Sequence, residues 1–267
     1  MSRKVGERMG WGFRVAAFVV VPASVVLTRR EWEGGDQIPR TGGAVVVANH
    51  VSHADPLTFA HFVYAHGRLP RFLAKAELFD VRLVGPVLRS MGQIPVFRLT
   101  RDAALAFRAA VDAVRSGKIV IVYPEGTLTR QPDLWPMSGK TGAARIALTA
   151  DVPVIPVAQW GAQEILHPYA SRPSLWPRKK VYARAGAPVD LDDLRGRPLT
   201  PEVLTEATDR IMDAITALLE ELRGETAPTD RFDPRRAGVR PIGNPYLDPQ
   251  QERPGRRRRR TTSRRSS

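Results

Sequence analysis

Apolar residues recur along this chain in two rhythms. Short apolar runs at Ala44–Ala48, Phe72–Ala74, Gln93–Phe97, Lys118–Val122, Val154–Val157 and Val181–Ala185 have the length and the β-branched content of buried strands. Between them the period lengthens to that of a helix. Residues 102–116 carry Ala103, Phe107, Ala110, Val111 and Val114 on one face and stop at Gly117, and Gly142–Ala150 suits a second helix. Pro201–Arg223 aligns Leu204, Ala207, Ile211, Ile215, Leu218 and Leu222 in one stripe that ends at Gly224. The pair Asp55-Pro56 reads as an N-cap and first helical position for a helix running through Leu57–Tyr64. Strands alternating with helices predict the α/β class, as a single domain with a mixed, partly parallel sheet flanked by helices.

The two ends depart from this rhythm. Val15–Leu27 is a continuous apolar run interrupted by Pro22 and bounded by Arg14, Arg29 and Arg30. As a helix it would reach roughly 20 Å, short of the ~30 Å hydrocarbon core of a bilayer. The expectation is therefore a segment, residues 1–36, that lies in or on a membrane interface rather than one that spans it. No small-x-small site follows the run in the position a cleaved signal peptide needs. At the other end, residues 224–267 lack apolar periodicity and are broken by six prolines. A segment that buries so little apolar surface cannot offset its chain entropy, so this reads as a disordered Arg- and Pro-rich tail, leaving residues 37–223 as the folded domain.

Charge sharpens that division. The chain carries a formal +14, and half of it sits in the tail, where twelve Arg stand against five acidic residues and Arg256–Arg260 is unbroken. Such a run attracts an anionic surface. Aromatic interleaving, zinc-finger spacing and an RNA-recognition strand are all missing from the sequence, so anionic membrane lipid is the expected partner rather than nucleic acid. The chain contains no cysteine, which excludes disulfides, thiolate nucleophiles and Cys-based metal sites.

Two polar loops follow buried strands, where α/β sheets place their ligands. One reads Asn49-His50-Val51-Ser52-His53-Ala54-Asp55, the other Tyr123-Pro124-Glu125-Gly126-Thr127. His50 and Asp55 lie about 140° apart on a helix and on opposite faces of a strand, so they meet only through a turn. Spacing by itself favours the plainer reading, in which Asp55 caps a helix and His50 decorates a loop. A metal site drawn from His50, His53, Asp55 and His61 is a rival, weakened because only His66 and His167 remain to complete it. Ser52 is a conceivable nucleophile, but a loop hydroxyl usually bonds to backbone.

The order of motifs changes this balance. NHVSHAD, then GQIPVFR at residues 92–98, then YPEGT, then VPVIPV at residues 152–157 together resemble the glycerolipid acyltransferase family of the PlsC type, over roughly Gln37–Pro188. The resemblance implies transfer of a fatty acyl group from acyl-CoA or an acyl carrier protein, as co-substrate and without a cofactor or metal, to the free hydroxyl of 1-acylglycerol 3-phosphate. It implies His50 as general base and Asp55 as the carboxylate orienting it, with Arg98, Glu125, Gly126, Thr127 and Lys75 binding the acceptor. It implies work at the cytoplasmic face of the cell membrane, as a peripheral or monotopic protein. Where the family often has Arg after PEGT, this chain has Leu128, so Arg130 or Lys140 is the expected replacement cation. Other acceptors, such as glycerol 3-phosphate or another lysophospholipid or glycolipid, stay open. So do an acyl-thioester hydrolase and a non-catalytic membrane adaptor.

Overall fold

A computed structural model describes residues 3, 5–96, 103–170 and 172–239. Among these residues seven strands form one sheet: β1 (Thr28–Glu33), β2 (Ala44–Ala48), β3 (Arg71–Lys75), β4 (Ile94–Val96), β5 (Ile119–Val122), β6 (Val154–Trp160) and β7 (Lys179–Ala185). Their order is β1-β7-β6-β2-β5-β3-β4. β2 to β6 all run one way; β7 is antiparallel to β6, and β1 is parallel to β7. The sheet is mixed and mainly parallel, as the alternating pattern predicts. One consequence matters for the site: the carboxyl ends of β2, β5 and β6 and the amino ends of β1 and β7 all lie at the same end of the sheet.

The helices are α1 (Trp11–Leu27), α2 (Asp55–Ala65), α3 (Val84–Ser90), α4 (Ala103–Arg115), α5 (Gly142–Ala150), α6 (Ala162–Ile165) and α7 (Pro201–Arg223). Every residue of β2 is buried, because helices cover both faces of the sheet. Val45 and Val47 point into a core shared with Val120, Val154, Ala110, Ala144 and Ile211, under α4, α5 and α7. Ala44, Val46 and Ala48 point the other way, onto Phe59, Phe62 and Val63 of α2. Thr200 caps α7, its side chain accepting from the Val203 N–H, and Gly224 closes the helix with φ 65°. The chain then turns back: Ser138 N–H donates to the Phe232 carbonyl at 2.9 Å, and Arg231 reaches Asp213 on α7 at 2.5 Å. The basic run Arg256–Arg260 lies outside the described residues, as does Arg98.

The apolar N-terminal run forms α1, about 26 Å long at 1.5 Å per residue. Among the described residues no helix is long and apolar enough to cross a membrane. α1 rests on α3 and α2 through a small polar and aromatic stripe. Gly12 lies so close to the Val87 carbonyl that an added Cβ would stand 2.8 Å from it; Phe13 is buried, and the Ser24 hydroxyl meets His61 Nδ1 at 2.8 Å. The opposite face presents Trp11, Val15, Phe18, Val19 and Val26 to the outside. β1 follows α1 directly, so the sheet begins before residue 37.

At the sheet's other end Arg68, 1% exposed, ties the connections together. It meets Glu7 at 3.0 Å and donates to the carbonyls of Pro39, Gly42 and Gly117 at 2.6 to 2.9 Å. Although burial opposes it, the Arg68 and Arg71 guanidiniums hold the Glu7 carboxyl below the usual carboxylate range. Removing one partner of such a buried set leaves the others desolvated and unpaired. Arg68→Ala should therefore lower unfolding free energy by about 3 kcal/mol in a denaturant titration, far from the polar loops at the opposite end.

Candidate active site

β2 delivers His50 to the carboxyl end of the sheet, and the chain turns tightly so that α2 can start at Asp55. Asp55 does not cap its own helix as its sequence suggests. The N-cap is Ala54, and the Asp55 carboxylate reaches backwards: Oδ2 accepts from the N–H of Val51 at 2.7 Å and of Ser52 at 2.8 Å. His50 Nδ1 lies 2.9 Å from the same oxygen, and Asp55 is fully buried while the His50 side chain keeps 14% of its surface. An oxygen already accepting two N–H bonds takes the third as an acceptor too, which puts the imidazole proton on Nδ1 and leaves Nε2 with a lone pair. Turn, carboxylate and ring thus form one unit.

The second loop clamps His50 from the side. Glu125 Oε1 accepts the His50 N–H at 3.0 Å, and Thr129 N–H donates to the His50 carbonyl at 2.7 Å. Tyr123 lies flat against the imidazole, ring centroids 4.1 Å apart and planes 14° from parallel. Asn49, next to His50, is locked to Gln159 of β6: its Nδ2 donates to the Gln159 carbonyl, and Gln159 returns bonds to Asn49 Oδ1 and its carbonyl, at 2.6 to 2.9 Å. Ser52 is fully buried, its hydroxyl donating to the Leu166 carbonyl at 2.6 Å, which is the backbone role expected of it.

The residues expected to hold an acceptor fall into different settings. Lys75 ends β3 and is exposed, near enough to His53 that its charge, after burial and the His50 charge, holds His53 below the usual histidine range. Glu125 faces inward at 1% exposure; its second oxygen accepts the Met137 N–H at 3.1 Å, so both oxygens serve the protein. Burial pushes its carboxyl up to about 8 against two backbone hydrogen bonds that pull it down. Gly126 adopts φ 71°, and a Cβ there would stand 2.7 Å from Lys140 Nζ. Thr127 is half-buried beside it. Leu128 is buried at 2%, and Arg130 is buried with its guanidinium 5.9 Å from the Tyr169 ring. Of the two candidate replacement cations, Lys140 lies exposed across the glycine of PEGT.

His61 does not join the site. It is turned towards α1, where burial lowers it to about 4, and Trp32 stands edge-on to it at 5.0 Å. Among the described residues no group of three or more His, Asp or Glu side chains converges as metal ligands would. Tyr123 and Gln159 carry structure at the site that motif reading did not assign to them. Gln159 leaves a trace, as the one polar residue near the end of an otherwise apolar strand; Tyr123 leaves none beyond its place in YPEGT.

Comparison with known proteins bears on the family and the fold. Residues 29–160 match the acyltransferase family, a span that contains His50, Asp55 and Glu125. The 1-acyl-sn-glycerol-3-phosphate acyltransferase of Borreliella burgdorferi is 33% identical over 125 residues, 46% of this chain and 48% of that protein. The Streptococcus pneumoniae protein of the same name is 26% identical over 220 residues, covering 82% of this chain and 76% of its own. The match spans about half the length of the Borreliella relative and 34% of a chloroplast relative from Brassica napus. Among solved structures, the 1-acyl-sn-glycerophosphate (LPA) acyltransferase PlsC from Thermotoga maritima aligns with a TM-score of 0.60 at 26% identity, over 80% of this chain and 81% of its own. With the family match over residues 29–160 and a fold shared with PlsC over 80% of the chain, that region belongs to the acyltransferase family, in its PlsC type.

Proposed function

We propose that this protein transfers a fatty acyl group from a thioester, acyl-CoA or acyl carrier protein, to the free hydroxyl of 1-acylglycerol 3-phosphate, working at the cytoplasmic membrane surface. The observation that carries the reading is His50 held on Asp55 with Nε2 left as a base. The acceptor hydroxyl gives its proton to Nε2 as its oxygen attacks the thioester carbonyl. The tetrahedral intermediate then collapses, breaking the C–S bond, and the imidazolium returns the proton to the departing thiolate. Asp55 stabilises the imidazolium between these steps. No covalent enzyme intermediate is needed, which suits a chain without cysteine and with Ser52 buried.

Glu125, in this account, is a positioning residue: it fixes the His50 backbone and the Met137 loop rather than touching substrate. The acceptor phosphate falls to exposed Lys75 and Lys140, together with Arg98 two residues beyond β4. The membrane setting is supported by the outward apolar face of α1, whose Phe18 is 82% exposed, and by the basic tail.

Two results are expected. Purified protein given acyl-CoA and 1-acylglycerol 3-phosphate releases CoA thiol and forms phosphatidic acid, while His50→Ala and Asp55→Asn cut the rate by on the order of 10³-fold or more in protein whose circular dichroism spectrum shows it still folded. Unchanged turnover in His50→Ala would end the assignment, and a panel of other acceptors tests the headgroup. The second result concerns pH. A carboxyl whose folded pKa is raised to about 8 holds its proton more tightly folded than unfolded, so its contribution is complete below the ordinary carboxylate range and is lost as pH rises through 8. Denaturant midpoints at pH 5 and pH 8.5 should show wild type losing stability relative to Glu125→Gln. A constant gap would mean that Glu125 is already ionised at the lower pH.

A further inference from the structure

The loop joining α6 to β7 has no role in the chemistry above, yet it runs from the His50 loop to the exposed face of α1. Near its start the Leu166 carbonyl accepts from Ser52 Oγ, and Tyr169 stands edge-on to the His53 ring at 6.4 Å. At its end Arg178 Nη2 donates to the carbonyls of Val25 and Thr28 at 2.8 and 2.7 Å. The parallel register sets Thr28 opposite Lys179 and Arg29 opposite Lys180. The end of the loop, just after Leu175 and Trp176, is thus tied to the last turn of α1, at the end of the sheet that carries His50.

Trp176 is 81% exposed and Leu175 42%, with Val25 at 39% and Val26 at 65%. Single exposed apolar side chains are ordinary, but Val25 and Val26 close a row of exposed apolar residues on α1 that includes Phe18 and Val19, and the Arg178 bonds bring the loop to the end of that row. Cations border them. A cleft of about 420 Å³ opens one residue on, at Pro177, and is lined by Arg178, Lys179, Lys180 and Arg223 against Glu164 and Glu225; Lys180 also pairs with Glu31 at 3.2 Å, and Arg223 with Glu225. An indole with an apolar neighbour, followed after Pro177 by Arg178 and Lys179, matches the head-group layer of an anionic bilayer, where tryptophan and basic residues both gather.

We propose that the α6–β7 loop is a second membrane-docking element: Trp176 inserts among anionic lipid head groups and, with α1, seats the mouth of the His50 site on the bilayer. The inference rests on the membrane-surface reading and adds to it a particular loop and a particular orientation. Because the loop is bonded to Ser52 at one end and to α1 at the other, docking both ends fixes the catalytic turn at a set height above the lipid.

The test uses the full chain and vesicles of phosphatidylcholine with phosphatidylglycerol, with and without bromine on the acyl chains. Emission from bound wild type should be quenched by the brominated lipid, and Trp176→Phe should remove a distinct part of that quenching. Trp176→Ser should bind the vesicles about tenfold more weakly while acylating a water-soluble short-chain acceptor at the wild-type rate. If Trp176→Phe is quenched as wild type is and Trp176→Ser binds with wild-type affinity, the loop is not a docking element, although α1 docking stands. A wild type that ignores the vesicles altogether overturns both, and acylation of the soluble acceptor then shows separately whether the catalytic reading survives.

Discussion

Three hydrogen bonds converge on Asp55 Oδ2, from the backbone of Val51 and Ser52 and from the ring of His50. The two backbone bonds close the turn between β2 and α2, and the third aims the imidazole. A fully buried carboxylate is costly unless donors surround it, so the turn and the catalytic pair stabilise each other. This is why five residues of sequence separation, awkward for any regular element, can hold a base and its partner at hydrogen-bond distance. The loop after β5 then grips His50 by its N–H and its carbonyl, and Tyr123 covers one face of its ring. Base and carboxylate come from the loop after β2, the clamp from the loop after β5 and the anchoring Gln159 from β6, three places that the parallel order of β6, β2 and β5 brings side by side.

The inner strands of that frame are legible in the sequence because burial on both faces writes a continuous apolar run. Lys118–Val122 and Val154–Val157 are found as Ile119–Val122 and Val154–Trp160. β1 is not legible. Thr28–Glu33, TRREWE, is an edge strand with alternate residues exposed, and its charged side chains hide the pairing with β7. α3 is too short for helical periodicity to emerge, and its close fit to α1 depends on Gly12, Val87 and Ser90, which no local pattern links.

The site was readable in its residue types and less so in their roles. His50 and Asp55 stand out only through the company of YPEGT and GQIPVFR, since spacing alone makes Asp55 a helix cap. Glu125 shows the limit most clearly. A glutamate in a polar loop invites a ligand, whereas the fold turns it inward to two backbone amides and raises its carboxyl to about 8. Leu128 points into the core at the position where the motif resemblance expects a cation, and Lys140 lies across Gly126 because a positive φ and a missing Cβ leave room there. Such contacts join residues distant along the chain, so motif spacing cannot announce them.

Nitrogen-15 NMR of the His50 ring measures the central claim directly, because the Asp55 carboxylate dictates which nitrogen carries the proton. In the neutral imidazole the account predicts protonated Nδ1 and bare Nε2, with that preference lost in Asp55→Asn. A proton resident on Nε2 in the wild type would leave no base facing the acceptor and would contradict it.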